Sequence, residues 1–373
     1  IDPRRQHRGD ERRAVLHAAG EARLVTRRKT LFFALMAVLL ATTVTAAGLL
    51  AVDIYLHGRY ERSAGYNVWG YRGPRVGVKR PGEYRIAVLG GSTAFGYGVS
   101  WDEAIPAQLE GMLAASTPGV TVVNLAYNNE GAYSLRFTLE DYLWLHYDLA
   151  ILYDGYNDVA LTPPDVNRQV FRRDSPVFRW TGYLPIFPVV FKEKAASMIS
   201  GGDAGAAYAS GKTVFRPTLT TRGAAGALTA AASIGEALET QINKVSSPAH
   251  QRAVDRDDTG CEFPWTVYCA SAAAAIEFAR AHDVDVLFVG QPEFPEHTAR
   301  RARHEPHQHE VAPMIARRFG HDPHVQYTSM TGVVDLRDPA TSFDEMHLTA
   351  DGNRRVAARL ADAVRPFIAR HSS

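Results

Sequence analysis

Ser92 follows a short apolar run and two glycines, while Asp344 and His347 stand three residues apart near the other end of the 373-residue chain. A hydroxyl, an imidazole and a carboxylate are the parts of nucleophilic acyl chemistry. The imidazole takes the hydroxyl proton, and the carboxylate orients the ring and stabilises its protonated form. One helical turn between Asp344 and His347 would set carboxylate toward ring nitrogen. The reaction also needs hydrogen-bond donors for a developing oxyanion. Asn157 offers a side-chain amide, and the backbone N–H groups of Ser92 and of the loop beginning at Ala126 can supply the rest. Taken by itself, Gly90-Gly91-Ser92-Thr93 is equally a phosphate-binding turn or an ordinary structural one, although it lacks the Lys-Ser/Thr that completes a nucleotide P-loop.

For these residues to meet, they must leave a sheet along one edge. Ile86 to Leu89 reads as a buried strand ending in the Gly90-Gly91-Ser92 turn, with a helix from about Ile105 to Ala115. Val120 to Leu125 is a second strand, followed by a helix from about Ser134 to Leu145. Leu149 to Tyr153 is a third, ending in Asp154-Gly155-Tyr156-Asn157-Asp158, where the two aspartates are expected to fix the loop. This repeat of strand, glycine turn and helix predicts a mostly parallel sheet with helices on both faces. The rhythm then breaks over an insertion of about 160–270, whose helix is expected over 224–243. It resumes with a helix from Ala270 to His282, a strand from Val284 to Val289, a helix from Glu310 to Phe319 and a last strand from about Gly332 to Leu336. A terminal helix from Ala350 to about Ile368, with Thr349 as N-cap, closes the chain.

Four blocks in order, Gly90-Gly91-Ser92-Thr93, Asn124-Leu125-Ala126, Gly155-Tyr156-Asn157-Asp158 and Asp344-Glu345-Met346-His347, resemble those of the SGNH (GDSL-like) hydrolase superfamily. The resemblance spans residues 85–159 and 283–369. It implies an α/β chain with a flavodoxin-like three-layer α/β/α domain, Ser92 as nucleophile, His347 as base, Asp344 as its partner and Asn157 as oxyanion donor. Two positions depart from the pattern. Gly91 stands where the name-motif has aspartate, and Ala126 where the second block usually has glycine. Gly131 is the alternative backbone donor if that loop is registered differently.

Charge and hydropathy place the chain in a cell. The net charge of +1 points to no nucleic acid. Residues 1–30, however, hold nine Arg or Lys against four acids, and the uncharged Leu31 to Val52 follows. As a helix, those 22 residues span about 33 Å, enough for the hydrocarbon core of a bilayer. The expected organisation is a cytoplasmic basic tail (1–30), a retained transmembrane helix (31–52), a membrane-proximal connector (53–84) and a hydrolase-like domain (85–369). The basic flank puts the N-terminus in the cytoplasm and the main domain outside. A cleavable signal peptide is the competing reading, since Thr45-Ala46-Ala47 suits processing, but the apolar run is longer than an h-region. Outside the cytoplasm, Cys261 and Cys269 are expected to form a local disulfide.

Other signals carry less. His297, His304, His307 and His309 lie among Arg300, Arg301 and Arg303 and read as a solvent-facing basic segment rather than a metal site. No cofactor is expected. The apolar stretch Phe171 to Met198 reads as a lid, an acyl pocket, a membrane-resting surface or ordinary core. The leading function is a membrane-anchored serine esterase or lipase-like hydrolase acting outside the cytoplasm on acyl esters of lipid or glycan. O-acyl transfer, or a non-catalytic scaffold meeting a membrane-protein partner through residues 31–52, are the alternatives.

Overall fold

The computed structural model describes residues 3–61, 65–115, 117–159, 167–188, 190, 259–298 and 301–371. The helix expected over 224–243 lies outside them. The described elements run α1 (Pro3–Arg59), β1 (Tyr84–Gly90), α2 (Ser92–Phe95), α3 (Ile105–Ala114), β2 (Val120–Asn124), α4 (Ala132–Asp141), β3 (Leu149–Asp154) and α5 (Tyr156–Val159). Then follow α6 (Phe171–Asp174), α7 (Pro176–Thr181), α8 (Thr266–Arg280), β4 (Asp285–Gly290), α9 (Arg301–Phe319), β5 (Val325–Ser329) and α10 (Ala350–His371). Two compact units result, Ile1–Tyr55 and Leu56–Ser373.

Lys29–Arg59 of α1, most of it in the first unit, is long and apolar enough to cross a membrane. Side chains from Leu31 to Val52 are exposed, as a lipid-facing helix requires. Its two adjacent threonine hydroxyls stay within the helix, Thr42 donating to the Val38 carbonyl and Thr43 to that of Leu39. Internal satisfaction of that kind is what hydrocarbon demands of polar groups.

The second unit is built on a five-stranded, all-parallel sheet of order β2-β1-β3-β4-β5. Strands β1 and β3 are buried on both faces, which is why they read as unbroken apolar runs. From β1 the chain steps outward to β2, then back across to β3. Right-handed crossovers therefore send α3 and α4 to opposite faces. Accordingly α3 packs with α10, and α4 with α8, giving the three-layer α/β/α sandwich. Order 2-1-3-4-5 reverses direction at β1 and β3, and their carboxyl ends open the crevice where such sheets place ligands.

Several expectations need correction. The last strand is Val325–Ser329, not Gly332 to Leu336. It is an edge strand whose Gln326, Tyr327 and Ser329 are only half-buried, so it lacks a continuous apolar run. Residues 332–336 form a turn that buries Val334 and Leu336. Helix α9 begins at Arg301 rather than Glu310, and His304 and His307 are fully buried rather than facing solvent. His307 packs on Trp265 and Tyr268, and His304 on Tyr156 and Phe294. Burial, with Arg301 beside it, lowers His304 to about 4, and burial followed by the nearby His304 lowers His307 well below its ordinary range, so both are neutral. His309 is exposed, as is His297, which meets Glu345 at 3.2 Å. Within the insertion, Phe178, Leu184, Ile186 and Val190 join the main core, while Val177 and Trp180 stay exposed. Tyr66 and Tyr71 of the connector are buried there too.

Candidate active site

Gly90 ends β1 at φ 149°, and a Cβ there would sit 1.9 Å from the Tyr153 carbonyl oxygen of β3. Only glycine tolerates so close a backbone approach. The chain turns through Gly91 directly into α2, whose first residue is Ser92. A one-turn helix starting at the serine itself was not legible in the sequence. On the other side of the crevice, β3 ends at Asp154 and α5 carries Asn157.

Asp344 and His347 come from the far end of the chain. They do not share a helical turn, as the spacing suggested. Residues 342–348 form a closed loop pinned by a Ser342–Leu348 bridge, with Glu345 at φ 61°. Asp344 Oδ1 accepts from the backbone N–H groups of Met346 (3.1 Å) and His347 (2.6 Å), and this local turn folds the carboxylate back onto its own histidine. The other oxygen, Oδ2, lies 2.6 Å from His347 Nδ1. Burial pushes the Asp344 carboxyl up, but the hydrogen bonds and charge of His347 and the two backbone donors outweigh it and leave it below the usual carboxylate range. An ionised carboxylate only accepts, so Nδ1 carries the proton and Nε2 is left as acceptor. Ser92 Oγ is 2.9 Å from that Nε2. The ring is held between Tyr97, 4.7 Å away, and Phe343, stacked at 5.9 Å.

On the donor side, expected residues meet two that the sequence did not single out, Glu130 and Gln291. Asn157 Nδ2 donates to the Glu130 carbonyl at 2.7 Å, using one of its two N–H bonds. A Cβ on Gly91 would fall 2.2 Å from that nitrogen, so Asn157 packs directly against the backbone before Ser92. Ala126 is buried in the second-block loop, but its N–H is turned onto Asn124 Oδ1 at 3.2 Å, and its carbonyl accepts from Arg172. Gly131 is the N-cap of α4, next to Asp158, whose Oδ2 accepts from Ala132 N–H at 3.1 Å. Asp154 is buried and Asp158 half-buried, with the two carboxyls interacting. Burial raises Asp158 to about 6, while burial and then the charge of Asp158 raise Asp154 further, so the pair holds a proton between them. Gln291, just past β4, donates to Thr93 Oγ1 and accepts from Tyr156 N–H, both at 2.7 Å. It ties the loop after β1 to the loop after β3. Its place one residue beyond a strand end was the only signal for it in the sequence.

All four blocks thus stand at the carboxyl edge of a 2-1-3-4-5 parallel sheet, with Ser92 and Asn157 on either side of the switch point. The fold is SGNH-like. No family model and no curated protein matches the sequence. Solved structures do match. One is a G-D-S-L family protein from Desulfitobacterium hafniense DCB-2, 11% identical with a TM-score of 0.37, over 75% of this chain and 99% of that one. Another is a mutant of an acetylxylan esterase from Geobacillus stearothermophilus, 13% identical with a TM-score of 0.39, over 78% and 95%. A third is a psychrotrophic esterase from Pseudoalteromonas sp., 10% identical with a TM-score of 0.40, over 77% and 99%. At such scores none of them bears on this chain's chemistry; the hydrogen bonds among Ser92, His347 and Asp344 do. Among the described residues, no group of three His, Cys, Asp or Glu side chains is arranged to hold a metal ion.

Proposed function

We propose that this SGNH-like chain is a serine ester hydrolase, anchored in a membrane by residues 31–52 and acting outside the cytoplasm on O-acyl esters of lipid or glycan. The observation that carries the reading is His347, bonded through Nδ1 to Asp344 and through Nε2 to Ser92 Oγ. Ser92 Oγ attacks the acyl carbonyl as His347 Nε2 takes its proton, and Asp344 stabilises the imidazolium. The tetrahedral oxyanion is met by the Ser92 N–H and the second N–H of Asn157 Nδ2. Gly131 N–H is a better third donor than Ala126 N–H, because Asn124 already occupies the latter. Collapse of the intermediate expels the alcohol, which takes the proton from His347 and leaves an acyl-Ser92 ester. Water then repeats the sequence and releases the acid. The proposed boundaries remain a tail at 1–30, an anchor at 31–52, a connector at 53–84 and a hydrolase domain at 85–369, with the basic flank keeping the N-terminus cytoplasmic.

The test is to treat purified full-length protein and its Ser92→Ala variant with a fluorophosphonate and with an activated acyl ester, reading mass and attachment site. Adduct on Ser92 only, absent in the variant, is the expected result. Labelling elsewhere, or none on a folded domain, would favour a non-catalytic scaffold. An acyl-enzyme stable in water but discharged by a sugar would make the protein an acyltransferase.

A further inference from the structure

The globular unit carries an exposed tryptophan surface close to where the chain enters it. Short helix α7 turns Phe178 inward onto Tyr142 and Val177 and Trp180 outward, Trp180 with 85% of its surface exposed. Trp144 and Trp69 are also exposed and meet edge to face at 5.9 Å. The two parts of the surface are joined, since Tyr142 Oη donates to the Trp69 carbonyl and Gly182, which caps α7, lies against the Trp69 ring. This patch is anchored to the first residues of the unit. Leu184 N–H donates to the Val68 carbonyl, and the Leu184 carbonyl pairs with His57 Nε2 at 3.1 Å. Tyr183 packs on the His57 ring. Thus Trp69 and the end of α7 are held within a residue or two of His57, in the last turn of α1.

We propose that this surface, Trp69, Trp144, Val177 and Trp180, lies in the headgroup region of the same bilayer that α1 crosses, docking the globular unit on the membrane. The proposal rests on the membrane-crossing reading of α1. The uncharged run of α1 ends at Val52, and His57 lies five residues further along the same helix, about 8 Å beyond it, which puts His57 and what is bonded to it at headgroup depth. Tryptophan is the residue enriched at that depth, because its ring is apolar and its N–H is wet. Contiguous exposed apolar side chains on a soluble unit otherwise invite aggregation. Val177 has no hydrogen-bonding group and stands three residues from Trp180 on the same outward side, which suits acyl chains better than a sugar. Arg179, also exposed, supplies a cation beside Trp180 for a lipid phosphate.

Both described cysteines are bridged, so single engineered cysteines can be labelled selectively. Full-length Ala41→Cys, Val177→Cys and Asp362→Cys proteins, each carrying an environment-sensitive fluorophore, would be placed in nanodiscs of phosphatidylcholine and phosphatidylglycerol with or without brominated acyl chains. Position 41 lies in α1, and 362 on the exposed side of α10. The expected result is strong quenching at 41, clear quenching at 177 several-fold above that at 362, and loss of the signal at 177 in a Trp144→Ser, Trp180→Ser background. Quenching at 41 with 177 no higher than 362 would overturn the docking and leave the anchor standing. Absence of quenching at 41 would overturn both. A soluble oligosaccharide that changes the fluorescence at 177 while bromolipid does not would overturn the proposal in favour of a glycan platform.

Discussion

Asn157 lies against the backbone of Gly91, the residue before Ser92, because that glycine has no side chain. A methyl group there would meet Asn157 Nδ2 at 2.2 Å, and Asn157 cannot yield without breaking its bond to the Glu130 carbonyl. Asn157→Ala is therefore expected to slow ester hydrolysis by the ~10²–10³-fold typical of losing one oxyanion donor. Gly91→Ala should cost a similar factor by displacing the same donor. Because the two act through one group, the double variant should be hardly slower than either single one, and kcat/KM for an activated ester measures this directly. Additive losses would separate Gly91 from Asn157. Asp344→Asn keeps the volume but leaves an amide facing Nδ1, so the imidazole can settle in the wrong tautomer. A loss of roughly 10⁴ in kcat with little change in folding is the outcome expected of a carboxylate acting through its histidine.

One step up, the loop after β2 is braced by the start of the insertion. Arg172 of α6 is fully buried, donating through Nη2 to the Leu125 and Ala126 carbonyls and through Nε to Gly70, with its guanidinium over the Tyr127 ring. Glu130 lies 3.8 Å from it and accepts from Phe171 N–H at 2.8 Å. Burial raises the Glu130 carboxyl from 4.5 to about 7, against the opposing pull of Arg172 and its hydrogen bonds. Between those two values the folded protein binds a proton that the unfolded chain does not. Glu130 therefore contributes a fall in stability of up to about 3 kcal/mol as pH rises from 4.5 to about 7. Asp158, raised to about 6, adds to it in the same direction. Both are opposed below about 6.5 by His304 and His307, which stay neutral in the fold while the unfolded imidazoles are protonated. Replacing Glu130 by Gln should make the slope of unfolding free energy against pH more positive between 4.5 and about 7, measured by denaturation of the full chain in detergent. An unchanged slope would show that Glu130 titrates normally.

At the scale of the whole molecule, two constraints act outside the catalytic edge. Cys261 and Cys269 are bridged, tying the return from the insertion to α8. Closing a loop this short constrains the unfolded chain by about 2–3 kcal/mol. The Cys261→Ser, Cys269→Ser double variant should lose about that much in denaturant unfolding, while fluorophosphonate labelling of Ser92 continues at its former rate. Loss of labelling without loss of stability would place the bridge in the site instead. The second constraint is topological. Protease added to intact cells should digest residues 85–369 and spare the basic tail; protection of the large domain would reverse the proposed orientation.

Much of this protein is local information. A 22-residue uncharged run, β-branched strands cut by glycine turns, and an acid three residues before a histidine are all written in neighbouring positions. They determine a helix able to cross a bilayer, a parallel α/β sheet, and residue types suited to acyl chemistry. Strand β5 escaped because an edge strand buries only part of its side chains and loses the apolar signal, while the more apolar 332–336 is spent in a turn. His304 and His307 looked solvated among arginines, since a helix of mixed charge does not announce which face the core will take. Ala126 was the expected second-block donor, with Gly131 as the alternative; that Asn124, two residues away, takes the Ala126 N–H could not be read from the chain. Only the tertiary structure decides such matters. Ser92 meets His347 across 255 residues of chain, Asn157 meets Glu130 across 27, and Gln291 meets Thr93 across 198. Hydrogen bonds of that span depend on how the sheet is ordered and which strand ends it brings side by side, and no periodicity along the chain encodes them.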